Sequence, residues 1–153
     1  MSRMIPLLLA VLVLTACAHP EHPEPPIQHE TVHLTLAVPS EFSTGRDGAC
    51  TADIRTVPFN ETSDVRIYTT DQGTGGEHQR ASTVLGLGEF LPDGACLFSP
   101  TAPRSAFAPE TDVYRIEVES ATHSLVLSWD YPGSVVSERS ELSLPLNDRV
   151  LRW

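Results

Sequence analysis

Between Val32 and Val38 the chain reads Val-His-Leu-Thr-Leu-Ala-Val, apolar at every second position. That two-residue period limits the possible folds more than any other feature, because it gives a pleated strand one apolar and one polar face, whereas a helix needs apolar residues three or four apart. The same period returns with Val65, Ile67 and Thr69 in Asp64–Thr70, with Tyr114, Ile116 and Val118 in residues 112–119, and with Leu125, Leu127 and Trp129 in residues 124–130. Leu142, Leu144 and Leu146 mark a last strand. Turn-forming stretches separate these runs. Residues 43–48 are expected to be a Gly/Asp-rich loop, 50–57 a short strand, 71–80 a turn or loop, and 100–109 a loop. Pro92-Asp93-Gly94 turns the chain toward Cys96, residues 120–123 close a hairpin, and Pro132-Gly133 ends it. No segment from Thr31 onward has a helical period. The expectation is an all-β chain: a single small β-sandwich, immunoglobulin-like or similar, with a small β-barrel as the alternative.

The first thirty residues are of another kind. Met1 to Arg3 carry a positive charge, Ile5 to Leu14 are apolar apart from Pro6, and small residues lead into Cys17. The apolar run is too short for a permanent span, which needs about 20 residues, and has the length of a signal-peptide core. Leu14-Thr15-Ala16-Cys17 resembles the lipobox of bacterial lipoprotein precursors. The resemblance implies a signal peptide over 1–16 and a Cys17 thiol that takes the lipid. An ordinary secretory peptide cut after Ala18 is the alternative, since Ala16 and Ala18 also satisfy the small-residue rule. Residues 18–30 hold four prolines, three histidines and three glutamates in thirteen positions. They cannot build a core, so 17–30 is read as a stiff tether of at most about 3.1 Å per residue and 31–153 as the β domain. Once the leader and tether are set aside, about 120 residues remain, enough for one core and too few for two.

If Cys17 is acylated, Cys50 and Cys96 remain as an even pair in an oxidising setting, and a disulfide between them is expected; two buried thiols are the alternative. The formal charge is −10 and all ten basic residues are arginine. Removing the leader with Arg3 makes the chain one unit more negative, which disfavours nucleic acid as a partner and leaves membrane attachment to the lipid.

His29-Glu30-Thr31-Val32-His33 matches the H-E-x-x-H zinc protease signature. That chemistry needs a helix, where residues four apart can both reach one zinc. Here Pro25-Pro26 precedes the motif and an alternating strand continues it, and strand residues four apart lie about 13 Å from each other. Leu36 and Pro39 also stand where the extended motif needs glycine and histidine. The match is read as chance. His19, His22 and His29 in the tether would make only weak metal sites, and His78 and His123 read as solvated turn residues. Glu117 and Glu119 share an outward strand face and read as a wet sheet surface. No catalytic residue, metal or cofactor is assigned.

The strings Gly48-Ala49-Cys50, Val65-Arg66-Ile67-Tyr68, Leu85-Gly86-Leu87-Gly88, Cys96-Leu97-Phe98 and Tyr114-Arg115-Ile116-Glu117-Val118 resemble small exported, lipid-anchored proteins of high-GC Gram-positive bacteria. The resemblance implies an extracytoplasmic β domain with paired cysteines and carries over no catalytic residue. Two function classes follow. The preferred one is a lipid-anchored, non-catalytic binding or structural module on the extracytoplasmic face of the cell membrane, engaging an envelope protein, a wall polymer or a small ligand. The other is a surface hydrolase, with or without metal. An enzyme needs a base, nucleophile or ligands converging in a pocket, whereas a binder needs an exposed patch.

Overall fold

The computed structural model describes residues 30–71, 73–108 and 112–147, without the side chain of Arg46. Among the described residues twelve strands form two sheets. The first strand, β1 (Thr31–Val38), takes the conformation its alternation dictates, with Val32, Leu34, Leu36 and Val38 fully buried. A single 3-10 turn, Ser40–Phe42, leads to β2 (Ser43–Arg46), which pairs with β3 (Ala49–Ile54), and β4 (Val57–Phe59) folds back on β3. Next come β5 (Asp64–Thr70), β6 (Glu77–Val84), β7 (Gly88–Phe90), β8 (Cys96–Phe98) and β9 (Thr101–Pro103). After a 3-10 turn at Arg104–Phe107 come β10 (Val113–Glu119), β11 (Val126–Pro132), a helix of a single turn, α1 (Gly133–Ser137), and β12 (Glu141–Ser143).

The larger sheet runs β12-β1-β8-β7-β3-β2, with β9 continuing β8 along β1 and β4 beside β3. Among the described residues only its β1–β12 pairing is parallel. The smaller sheet runs β11-β10-β5-β6 and is antiparallel throughout. The sheets stay separate, so the fold is a sandwich and not a closed barrel. Between them lie Leu34, Leu36, Ile54, Phe59 and Phe98 from one side and Val65, Ile67, Tyr114, Ile116, Val118 and Leu127 from the other, all essentially without solvent contact. Phe107 meets Tyr114 edge to face at 5.4 Å, the geometry that aromatic quadrupoles favour.

Cys50 and Cys96 are bonded, with Cα atoms 5.8 Å apart. Their strands lie on either side of β7, and the sulfurs pass over Gly88: a Cβ there would sit 2.6 Å from Cys96 Sγ and 2.8 Å from Cys50 Sγ. The last described run is held from the opposite sheet. Trp129 Nε1 donates to the Pro145 carbonyl at 2.9 Å, and the Tyr131 hydroxyl donates to the Ser143 carbonyl.

The structure departs from the sequence expectations at several places: residues 50–57, expected as one strand, are divided between β3 and β4 by a turn at Arg55 and Thr56, and Leu144 and Leu146, expected in the last strand, lie beyond β12. Residues 43–46, expected in a loop, are a strand, because Asp47 and Gly48 both adopt positive φ (56° and 81°) and close a two-residue hairpin. Residues 77–80, also expected in a loop, open β6 and pair with β5 through Thr70, Thr69 and Tyr68. Residues 101–103 and 104–107 form β9 and a 3-10 turn instead of a loop. The helix α1 follows Pro132, where only a strand end was expected; proline suits the start of a helix because the N–H it lacks would be unpaired there anyway.

Candidate functional site

The outer face of the smaller sheet carries the densest polar constellation among the described residues. Alternation turns Arg66 and Tyr68 of β5 outward opposite Glu117 and Arg115 of β10, while Asp64 faces Glu119. On the other side of β10 stand Val126, Ser128 and Asp130 of β11.

These side chains interlock. An Arg66 nitrogen lies 2.6 Å from Glu119 Oε2 and 3.1 Å from Asp64 Oδ2. Arg115 reaches Glu117 Oε1 at 2.8 Å through Nε and Glu77 Oε1 at 2.6 Å through a terminal nitrogen, with its guanidinium carbon 5.3 Å from the Tyr68 ring centre. Burial by itself would lower the pKa of both arginines. It is outweighed at Arg66 by the charge of Glu119 and hydrogen bonds to Tyr68 and Asp64, and at Arg115 by Glu117, Glu77 and Asp130, so both guanidiniums are held above their ordinary value. Close ion pairing is not the same as full hydrogen bonding: Arg115 Nε and Glu119 Oε2 are shielded from solvent and make no hydrogen bond of good geometry. Surface pairs of this kind contribute roughly 0.2–1 kcal/mol each. The lattice thus orders the face more than it stabilises the fold.

Glu117 and Glu119 point outward as expected, but they are not a wet surface. Flanking arginines from β5 and β10 cover them, leaving 20% and 15% of their side chains exposed. His123 occupies the turn between β10 and β11 at φ 56°, and its Nδ1 lies 3.3 Å from Glu119 Oε1. Asp64, Glu119 and His123 therefore converge, each offering a ligand atom within 4.8 Å of the others. The neighbouring Ser120 hydroxyl accepts the backbone N–H groups of Ser124 and Leu125, both at 3.1 Å, which fixes the turn. A shallow depression of ≈ 460 Å³ lies beside this lattice, lined by Arg115, Glu117, Ser124, Leu125, Val126 and Ser128.

A second depression, ≈ 340 Å³, opens where the chain passes from β6 to β7. Leu85 is buried there, its N–H donating to the Ser63 carbonyl at 2.8 Å, and Gly86 turns at φ 73°. The turn pushes Leu87 outward, 76% exposed, next to Val84 at 49%.

The other residues singled out in the sequence lie apart. Cys17 and His29 are outside the described residues, as are His19 and His22. Glu30 is exposed, and His33 faces outward on β1 between Thr101 and Glu141. His78 lies on β6 opposite Thr69, on a strand and not in the expected turn. No family model, no curated protein and no solved structure matches the chain.

Proposed function

We propose that the protein is a lipid-anchored component of the cell envelope whose β domain serves as a non-catalytic binding or structural module on the extracytoplasmic face of the membrane. The observation that carries this reading is the Cys50–Cys96 bond: once Cys17 is set aside for acylation, the two cysteines that remain are joined, and such bonds persist in oxidising compartments outside the cytoplasm. The Leu14-Thr15-Ala16-Cys17 stretch supplies the anchor, and two or three acyl chains hold a protein stably where one does not. The exposed Leu87 and Val84 beside their depression supply an apolar contact patch for a partner.

Replacing Cys17 with Ser tests the anchor. The variant should leave the membrane fraction, or accumulate as an uncut precursor, and should lose incorporation of a labelled fatty acid. A variant that stays membrane-bound at the mature size would overturn the reading. The module is tested by a photo-reactive residue at Leu87 in intact cells: a discrete crosslinked product, absent when the probe is placed at Thr51 on the outer face of β3, is the expected outcome. Equal labelling from both positions would remove the patch from the proposal.

A further inference from the structure

The convergence of Asp64, Glu119 and His123 has no role in the reading above. The three residues come from the start of β5, the end of β10 and the turn after β10, so no local sequence pattern brings them together. They supply two carboxylate oxygens and one imidazole nitrogen, the hard and borderline donors that first-row divalent ions such as zinc accept. In tetrahedral zinc coordination, with metal–ligand distances of about 2.0–2.2 Å, neighbouring donors sit about 3.4 Å apart. His123 Nδ1 and Glu119 Oε1 are at 3.3 Å. Asp64, 37% exposed at the end of its strand, has to close by at most about 1.4 Å to complete the set. Glu119 is the inner ligand, and its Oε2 is a shielded oxygen without a well-formed hydrogen bond. His123, 65% exposed, leaves the outer side open to water.

One group stands against a cation, and it sharpens the inference. Arg66 already pairs with both carboxylates, at 2.6 Å to Glu119 Oε2 and 3.1 Å to Asp64 Oδ2, and offsets one of their two negative charges. Its positive charge repels an incoming ion, but it need not be stranded when one arrives, because Tyr68 shares its face of β5 and Glu117 is its cross-strand neighbour. The free site is then a salt-bridged state and the loaded site one in which Arg66 has shifted along β5.

We infer that Asp64, Glu119 and His123 form a divalent-cation site of zinc type, occupied in competition with the Arg66 guanidinium. The test is zinc binding to the full chain in detergent, by calorimetry and elemental analysis, comparing wild type with His123→Asn, Glu119→Gln and Arg66→Gln. Asparagine tolerates positive φ, so His123→Asn keeps the turn while removing the imidazole, and metal-free melting curves check that every variant is folded. Zinc held by the tether histidines contributes equally to all four proteins. The expected result is one equivalent lost in His123→Asn and in Glu119→Gln. In Arg66→Gln the same equivalent should bind at least about fivefold more tightly, the effect of removing one like charge some 4 Å away even at the dielectric of water. Unchanged stoichiometry in His123→Asn overturns the site, and unchanged affinity in Arg66→Gln overturns the competition.

Discussion

Gly88 shows how much one missing side chain decides. The Cys50 and Cys96 sulfurs cross the core over its Cα, and the edge of Phe98 lies as near, so only a residue without Cβ leaves room for the bond between strands that flank β7. The bond constrains a separation of 46 residues, worth about 4 kcal/mol by loop-closure entropy. Gly88→Ala should therefore cost about 1–3 kcal/mol, the usual penalty for overpacking a core, read as a fall in the denaturation midpoint of the oxidised protein. An oxidised Gly88→Ala protein as stable as wild type would show that the sheet can part without cost. The cysteine pair was legible in the sequence, because setting Cys17 aside leaves two thiols and a single possible pairing. The need for Gly88 was not, since it depends on which strand is threaded between the two cysteines. The same limit hid the polar triad. The outward direction of Glu119 follows from the alternation along β10, but its meeting with Asp64 depends on strand pairing, and the side chain of His123 reaches it only through a left-handed turn residue.

At the level of elements, the strongly alternating runs were legible because burial on one face leaves its period in the sequence. β1, β5 and β10 fall where Val32–Val38, Val65–Thr69 and Tyr114–Val118 place them, and β11 begins just after Leu125 with Leu127 and Trp129 inward. Two of the strands that were missed have one feature in common. β2 (Ser-Thr-Gly-Arg) and the first half of β6 (Glu-His-Gln-Arg) hold no apolar side chain on either face, so no apolar period marks them, and pairing partners alone make them strands. For β2 a signal existed in Asp47-Gly48, a dipeptide suited to a two-residue hairpin. The β3–β4 hairpin carries no such signal. Its turn is Arg55-Thr56, with φ of 55° and 64°, a conformation that costs non-glycine residues roughly 1–2 kcal/mol each. Replacing Arg55-Thr56 by Asn-Gly should raise stability by about 1–2 kcal/mol, measured by chemical denaturation with an unchanged m-value. No gain, or a loss, would mean that contacts made by these two side chains outweigh the backbone strain they impose.

For the molecule as a whole, the two sheets are joined by packing in the centre and by hydrogen bonds from β11 to the chain's last described run. Tyr114 and Tyr131 sit within that joint. Burial raises the Tyr114 phenol above its ordinary value, assisted by the negative charge of Asp112 and opposed by its polar contact with Thr69 and the charge of Arg80; burial likewise raises Tyr131, opposed by Arg139. A raised value means that the folded state holds these protons more tightly than the unfolded chain, whose phenols titrate near pH 10. The resulting stability is complete below about pH 10 and is lost as the pH rises through the higher folded-state values. The melting temperature should thus show no tyrosine-linked change from neutrality to about pH 10 and then fall. Tyr131→Phe should start from lower stability, because the bond to the Ser143 carbonyl is gone, and should fall less steeply in alkali, because one linked proton is gone. Phenolate absorbance followed alongside the melt decides the matter. If Tyr114 and Tyr131 ionise at the ordinary value while the protein remains folded, the joint between the sheets is open to water and the coupling between these phenols and the sandwich is absent.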